Sequence, residues 1–293
     1  MSESMSESIH KTPLTNLYVF RTLSDNHCFL LWRDGSKKAA VIDPAEEAPV
    51  LSALRRHGLE LGLILNTHHH NDHVDGNLAL QKHFNVPIFS SAYDSNRIPG
   101  EIAGEISRAS RGLVDKERVE LLGLEFTALA MPGHTLGQVA YYFENLRTSE
   151  GTHPGVFVGD TLFAMGCGRL FEGSAEQMWA SLKRLMALPP TTRLYFGHEY
   201  TRLNEPFAKF IEPENLQIPE RQHQAQTILV KGPDEIVPAP TLAQEMMVNP
   251  FLRIADAIAG TKIRRHLNLS ADAQDSEVFR QLRLLRDNFK PAR

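Results

Sequence analysis

The most constraining feature of this sequence is a histidine-rich segment that directly follows an apolar run. Leu61–Asn66 has the length and composition of a buried strand, and the next seven residues read Thr-His-His-His-Asn-Asp-His. Because side chains two positions apart on an extended chain point the same way, His68 and His70 can hold one metal ion together. Asp72 and His73, in the following turn, can reach a second ion. The segment therefore predicts a metal site at the end of a buried strand, with ligands that suit zinc, iron or manganese.

Three further segments share one pattern, an apolar strand, then glycine, then a potential ligand. They end at His134, Asp160 and His198. Each is weak evidence alone, because His or Asp after Gly is commonly a cap or turn residue. Together with the first segment they supply five histidines and two aspartates, enough for two ions with open positions. Asp160 has two oxygens and can bridge the ions, and a pair ~3.5–4 Å apart is the usual arrangement for hydrolysis.

Short apolar runs alternate with turn residues over the first 200 residues, which predicts buried strands. Helical patterns lie between them, one around Glu46–His57 that Gly58 ends, and one near Ser174–Met186, where Ser174 and Gln177 make a capping box. The predicted strands are Leu17–Arg21, Cys28–Trp32, Ala39–Ile42, Leu61–Asn66, Leu124–Ala130, Gln138–Phe143, Val156–Gly159 and Arg193–Phe196.

The pattern changes after about Tyr200. Strand patterns stop, five prolines punctuate residues 213–240, and helical patterns follow at Thr241–Val248 and Ser276–Phe289. We therefore predict a mixed α/β domain over residues 1–200 and a smaller helical domain over residues 201–293.

Composition excludes several classes of protein. Hydrophobic residues are 42% and charged residues 23% of the 293, unlike a disordered or collagen-like chain. No run approaches the ~18–20 apolar residues that span a bilayer. The polar N-terminus has no basic stretch followed by an apolar one, so we expect no export, and two cysteines are too few for a disulfide framework. We expect a cytoplasmic protein without membrane contact.

The net charge of −4 is unevenly distributed. Residues 262–293 hold eight Lys or Arg against four Asp or Glu, so this segment carries +4 and the rest −8. The ordinary explanation is a solvated helix face, and the alternative is a basic rim that attracts an anionic substrate. Nucleic-acid binding is disfavoured because the chain as a whole is acidic.

Thr67–Gly76 resembles the HxHxDH signature of the metallo-β-lactamase superfamily, and His134, Asp160 and His198 match its remaining ligand positions. Narrower motifs resemble the hydroxyacylglutathione hydrolase (glyoxalase II) family of thioesterases. They are Gly159–Phe163, Gly166–Gly173, Gly197–Thr201 and Asn249–Arg253. The resemblance runs from about Leu17 to the C-terminus. It implies an α/β fold, the αββα four-layer sandwich of the metallo-β-lactamases, followed by a smaller C-terminal helical domain that binds substrate.

The resemblance implies two divalent metal ions, with zinc favoured and iron or manganese as alternatives. It assigns His68, His70 and His134 to the first ion, Asp72, His73 and His198 to the second, and Asp160 to a bridging position.

The resemblance also implies residues that hold glutathione. These are Arg169, Phe171, Tyr200 and Arg253. Two departures stand out, since Phe171 lacks the hydroxyl of a tyrosine found in some members, and the residues after Arg253 lack a second cation.

The implied reaction is hydrolysis of an S-(2-hydroxyacyl)glutathione, such as S-D-lactoylglutathione, to a 2-hydroxy acid and glutathione, the second step of methylglyoxal detoxification. A hydroxide between the ions attacks the thioester carbonyl. Asp72 and Asp160 are the catalytic carboxylates, with Asp72 also orienting the nucleophile. A thiolate leaves readily, because the pKa of a thiol is near ~8.5. The partner is thus a small molecule, and we expect a monomer or weak homo-oligomer.

Three alternatives to this reaction are less consistent with the sequence. A glutathione persulfide dioxygenase with a single iron is disfavoured by the segment 239–253, and a nuclease by the net charge of −4. A scaffold without activity is disfavoured because all seven ligand positions hold competent residues.

The remaining candidate residues have ordinary explanations. Cys167 is predicted to be a turn or packing residue rather than a nucleophile. His69 and the other histidines outside the ligand set are expected to be surface or packing residues, and the role of Asp75 is left open.

Overall fold

The strands of the described chain end at Phe196 and helices follow. The computed structural model describes residues 14–100, 110–229 and 236–290. The predicted ranges 1–200 and 201–293 also include residues outside this description, and these boundaries stay a prediction. The strands are β1 (Thr15–Thr22), β2 (Asn26–Arg33), β3 (Lys38–Ile42), β4 (Glu60–Leu65), β5 (Ile88–Ser91), β6 (Arg111–Leu113), β7 (Arg118–Leu121), β8 (Leu124–Ala130), β9 (Val139–Thr148), β10 (Gly151–Gly159), β11 (Leu162–Phe163), β12 (Gly166–Cys167) and β13 (Arg193–Phe196).

Helices occupy both halves of the described chain. They are α1 (Glu47–His57), α2 (Asn71–Val74), α3 (Asn77–Phe84), α4 (Ala175–Met186), α5 (Thr201–Ile211), α6 (Gln217–Leu229), α7 (Leu242–Val248), α8 (Ala257–His266) and α9 (Asp275–Asn288), with a 3₁₀ turn at Arg253–Ala255. Among the described residues, no helix has the length and apolarity needed to cross a membrane.

The sheet curls because strand β9 is shared by three neighbours. It pairs antiparallel with β8 through Val139–Tyr142, antiparallel with β10, and parallel with β1 at Leu146 and Arg147. The strand order is β13-β10-β9-β1-β2-β3-β4-β5-β6, with the β7–β8 hairpin joined at β9. The two halves of the sheet therefore face one another over a core that includes Phe29 and Tyr141.

Helices cover both outer faces of the folded sheet. Helix α1 buries Val50 and Leu54 against β2, β3 and β4. On the opposite side, α4 and α9 bury Met178, Leu182 and Leu282 in a cluster with residues of β9 and β10. This arrangement confirms the predicted αββα layers, followed by a helical C-terminal part.

Most of the predicted elements are confirmed, including all eight strands and the αL cap at Gly58. The capping box of Ser174 and Gln177 is present with both hydrogen bonds. Helices α5 and α6 also lie after Tyr200, where the sequence analysis assigned no particular helix. Pro219 stands in the first turn of α6, where no amide hydrogen is needed. Pro206 lies inside α5, whose apolar face is buried.

Asn249 joins the helical part of the chain to the β11–β12 hairpin. Its fully buried amide nitrogen donates to the carbonyl oxygens of Phe163 at 3.1 Å and Gly166 at 2.9 Å. Phe251, two residues later, is also fully buried. The Asn-Pro-Phe segment therefore fixes the hairpin that leads into Arg169.

We expect Asn249→Ala to lower the free energy of unfolding by about 1–3 kcal/mol, because buried carbonyls lose their donor. Asn288→Ala removes an exposed side chain whose amide donates to Leu284 within α9, so it is a matched control expected within about 0.5 kcal/mol of the parent. Urea unfolding followed by circular dichroism measures both. Equal effects of the two substitutions would contradict this role for Asn249.

Candidate metal centre

Four strand ends bring the predicted ligands to one place. His68 and His70 follow β4, His134 follows β8, Asp160 follows β10 and His198 follows β13. Because the strands belong to one hydrogen-bonded sheet, the loops at their ends are held at fixed separations. Ligand atoms from these loops and from α2 lie within 4.8 Å of one another in three groups, and together these groups contain all seven predicted ligands.

The first group consists of three imidazoles. Nδ1 of His70 lies 3.0 Å from Nε2 of His68 and 3.0 Å from Nε2 of His134. Three nitrogen atoms that converge in this way form a set suited to a divalent ion.

The second group combines imidazole with carboxylate. Nε2 of His198 lies 3.3 Å from Nε2 of His73 and 3.2 Å from Oδ2 of Asp72. Both Asp72 and His73 lie on the short helix α2, which directly follows the first two ligands. The continuous segment 68–73 therefore supplies ligands to both groups.

Asp160 lies between the two groups. Its Oδ1 is 3.4 Å from Nε2 of His73 and 3.5 Å from Nε2 of His198, whereas its Oδ2 is 3.5 Å from Nε2 of His134. Oδ1 is buried without a hydrogen-bond partner. An unpaired buried carboxylate oxygen is costly, so this position fits a bridging ligand for two ions.

Outer partners orient the ligand imidazoles. Asp43 lies 3.0 Å from Nδ1 of His73, and Asp25 lies 2.7 Å from Nδ1 of His198. Nδ1 of His134 donates to the carbonyl oxygen of Arg169 at 2.9 Å. Such partners fix the tautomer and direct the opposite nitrogen at a metal. The sequence analysis did not identify Asp25 and Asp43. Their only signal in the sequence is a position beside a strand, and aspartate is common there as a turn residue.

The protonation of the two groups differs. Burial, reinforced by neighbouring imidazoles, lowers the pKa of His68 well below its usual value and that of His70 to about 4, and burial also lowers the pKa of His134. Burial alone would lower the pKa of His73, but the carboxylates of Asp160 and Asp43 raise it to about 9. The first group is therefore neutral at pH 7, with lone pairs available, and the second holds protons that an ion would displace.

A cavity of about 460 Å³ opens beside the centre, and three of the predicted substrate residues line it. They are Arg169, Phe171 and Tyr200. The ring of Phe171 lies 5.2 Å from that of His134, and Tyr200 stacks on His198 at 4.8 Å. An adjoining cavity of about 500 Å³ shares Phe171 and Tyr200 and extends along the histidine-rich segment.

Arg253, the fourth predicted substrate residue, does not line either cavity. Its Nε donates to Glu212 at 2.6 Å, beneath the 3₁₀ turn that it begins. The cavity instead contains Arg283 and Arg286 of α9. Sequence reasoning counted both among the basic residues of the C-terminal segment but did not single them out.

Cys167 and Asp75 take no part in the ligand groups. Burial raises the pKa of the Cys167 thiol to about 11, which agrees with a packing residue. Asp75 is exposed at the C-terminal end of α2.

Two family models match the chain in succession. Residues 21–198 match the model described as the metallo-beta-lactamase superfamily, and residues 199–289 match the model described as the hydroxyacylglutathione hydrolase C-terminus. The boundary between the two matches lies directly after His198.

Curated relatives match almost the whole chain. A hydroxyacylglutathione hydrolase of Methylococcus capsulatus is 43% identical, over 92% of this chain and 96% of its own length. One of Rhizobium meliloti is 39% identical, over 94% and 98%. Among solved structures, the B3 metallo-beta-lactamase BLEG-1 covers 80% of this chain and 99% of its own, with a TM-score of 0.58 and 23% identity, which shows the fold alone. By its sequence matches along both parts, the chain belongs to the hydroxyacylglutathione hydrolase family within the metallo-β-lactamase superfamily.

Proposed function

We propose that this chain hydrolyses S-(2-hydroxyacyl)glutathione thioesters, such as S-D-lactoylglutathione, to a 2-hydroxy acid and glutathione. The observation that carries the proposal is the position of Asp160, between two complete ligand groups and beside a basic cavity. The names of the curated relatives support the same reaction. The glutathione persulfide dioxygenase considered above has less support, because the match over residues 199–289 is to the hydrolase C-terminus.

Two divalent ions fit the centre. We propose that His68, His70 and His134 hold the first, that Asp72, His73 and His198 hold the second, and that Asp160 bridges them. Zinc suits these donors and is our preferred metal, with iron and manganese as alternatives. Such ions supply Lewis acidity and lower the pKa of water towards about 7.

The cavity gives this substrate a cationic surface. Arg283 is paired with Asp287 at 2.8 Å, whereas Arg286 donates to two neutral oxygens, those of Leu203 and Asn204. Burial and the neighbouring Arg283 and Arg169 lower the pKa of Arg286. Glutathione carries two carboxylates, and desolvated guanidinium groups bind carboxylates strongly. We therefore assign the peptide to this cavity and the acyl group to the adjoining one.

Tyr200 and Phe171 position the substrate between these cavities. Burial and the nearby carboxylates of Asp25, Asp160 and Asp72 raise the pKa of Tyr200, so its hydroxyl keeps its proton and can donate a hydrogen bond to the peptide. Phe171 offers only an apolar ring, 63% exposed, beside the first ligand group. Both rings also exclude water from the ligand imidazoles on which they pack. No strong acid is required, because the leaving group is a thiolate.

We propose a cytoplasmic enzyme that is a monomer or weak homo-oligomer, with a catalytic domain over residues 1–200 and a substrate-binding domain over residues 201–293. The two buried, unpaired cysteines suit a reducing compartment.

The purified protein is expected to hydrolyse S-D-lactoylglutathione, measured as loss of the thioester absorbance. Elemental analysis of the same sample is expected to give two metal ions per chain. Asp160→Asn should lower kcat by more than the ~100-fold that loss of an outer partner costs, because the bridging charge disappears. Asp75→Asn removes a nearby exposed carboxylate and should leave kcat unchanged. No hydrolysis by wild-type protein with both ions bound would overturn the proposed function, and oxygen uptake with glutathione persulfide would then be tested.

Arg286→Met is expected to raise KM for S-D-lactoylglutathione about tenfold to 100-fold with little change in kcat, since it removes a charged hydrogen bond to bound peptide. Arg280→Met is the matched control, because Arg280 lies on the same helix and pairs with Glu277 at the surface. Arg253→Met tests the role that the sequence resemblance implied. A larger KM effect from Arg253→Met than from Arg286→Met would contradict the assignment of the peptide to this cavity.

A further inference from the structure

Four side chains form a connected group beside the first ligand set, here named the Arg97 cluster: His69, Asp94, Arg97 and Glu172. Nη1 of Arg97 lies 3.2 Å from Oε2 of Glu172 and 3.3 Å from Oδ1 of Asp94. Nη2 of Arg97 donates to Glu172 and to Nε2 of His69. Asp94 Oδ2 lies 3.1 Å from Nδ1 of His69. Because arginine can only donate, Nε2 of His69 accepts the hydrogen bond from Arg97. The ring proton is therefore on Nδ1, which donates a hydrogen bond to Asp94.

The cluster contacts both loops that supply the first ligand set. His69 stands between the ligands His68 and His70. On the other loop, Glu172 accepts from the backbone amide of Leu136 at 2.8 Å, two residues beyond His134. The carbonyl oxygen of His134 also accepts from the amide of Phe171 at 3.1 Å. Arg97 therefore links the two loops through its contacts with His69 and Glu172.

The cluster has little freedom to rearrange. Asp94 is fully buried, and a Cβ added to Gly137 would lie 2.1 Å from its carboxyl carbon. The side chains of His69 and Glu172 are 15% and 24% exposed. Arg97 is 36% exposed, but the side chain of its partner Asp94 is fully buried. Removing the cation beside a buried carboxylate leaves an uncompensated charge, which is more costly than loss of a surface pair. Removal of Arg97 would leave two carboxylates and a histidine nitrogen without their common donor.

The second ligand set is held by other groups. Asn26 donates to Asp72 Oδ2 at 3.0 Å. Asp43 and Asp25 lie against His73 and His198. None of these three outer partners belongs to the Arg97 cluster. A substitution in the Arg97 cluster should therefore weaken binding of the first ion more than binding of the second.

We infer that Arg97 is a positioning residue for the first metal ion, holding the His68–His70 loop and the His134 loop at the separation that the ion requires. This rests on the ligand assignment proposed above. Lysine can replace it only in part, since a single ammonium does not reproduce the planar fork that serves three acceptors.

The test compares Arg97→Met with Arg147→Met, whose guanidinium pairs with Asp34 at the surface. Both proteins are loaded with zinc and titrated with a chelator, and bound zinc is measured by elemental analysis. Arg97→Met should release one ion at a chelator concentration about 10- to 100-fold lower than the control does, while the other ion is retained as in wild type. Anomalous diffraction from crystals of the one-ion form should place the remaining ion at Asp72, His73 and His198.

If Arg97→Met does not fold, the measurement is repeated with Glu172→Gln, a substitution of the same shape. This variant should also weaken binding of the first ion alone. Arg97→Lys should restore retention only in part. Equal weakening of both ions, retention like that of the control, or a remaining ion at the first set would each overturn the inference. The measurement needs no substrate, so absence of thioester hydrolysis by wild-type protein would overturn the proposed function and leave this comparison valid.

Discussion

The structure depends on the convergence of buried nitrogen and oxygen ligands around Asp160. Five imidazoles and two carboxylates in one place need ions or protons to balance them, and the carboxylates of Asp160 and Asp43 accordingly raise the pKa of His73. The sheet holds these side chains together, because they follow strands whose ends are fixed relative to one another by backbone hydrogen bonds. The fixed charges of Asp25 and Asp43 then orient the imidazoles from behind.

Much of this centre could be predicted because its ligands are marked by local pattern. An apolar run followed by His, or by Gly and then His or Asp, places the side chain at a strand end, and strands of one sheet bring such ends together. Arg253 and Arg286 show where that reasoning stops. Both are basic residues of the helical part, and only the packing of α9 decides that Arg286 faces the cavity while Arg253 pairs with Glu212. Likewise, the sequence analysis assigned no helix around Pro206, yet α5 contains this proline and its apolar face is buried.

The two parts of the chain act on one site. The last of the predicted ligands is His198, yet the cavity beside them contains Arg283 and Arg286 from the last helix. In the proposed function, the residues that bind the charged peptide thus lie nearly ninety positions after the last metal ligand, in a different part of the chain. If the peptide and the acyl group occupy the two cavities as proposed, acyl preference and peptide affinity depend on different segments of the chain.

The hydrogen bonds of Asn249 make the first part of the chain depend on the helical part. In a fragment ending near residue 200, the β11–β12 hairpin would lose the amide that its buried carbonyls accept, and the backbone amide of Met165 would lose the carboxylate of Glu245. Apolar side chains packed under α7 and α9 would meet water at the same time. The part of the chain that holds all seven predicted ligands therefore depends on the helical part to satisfy the buried backbone groups of residues 163–166.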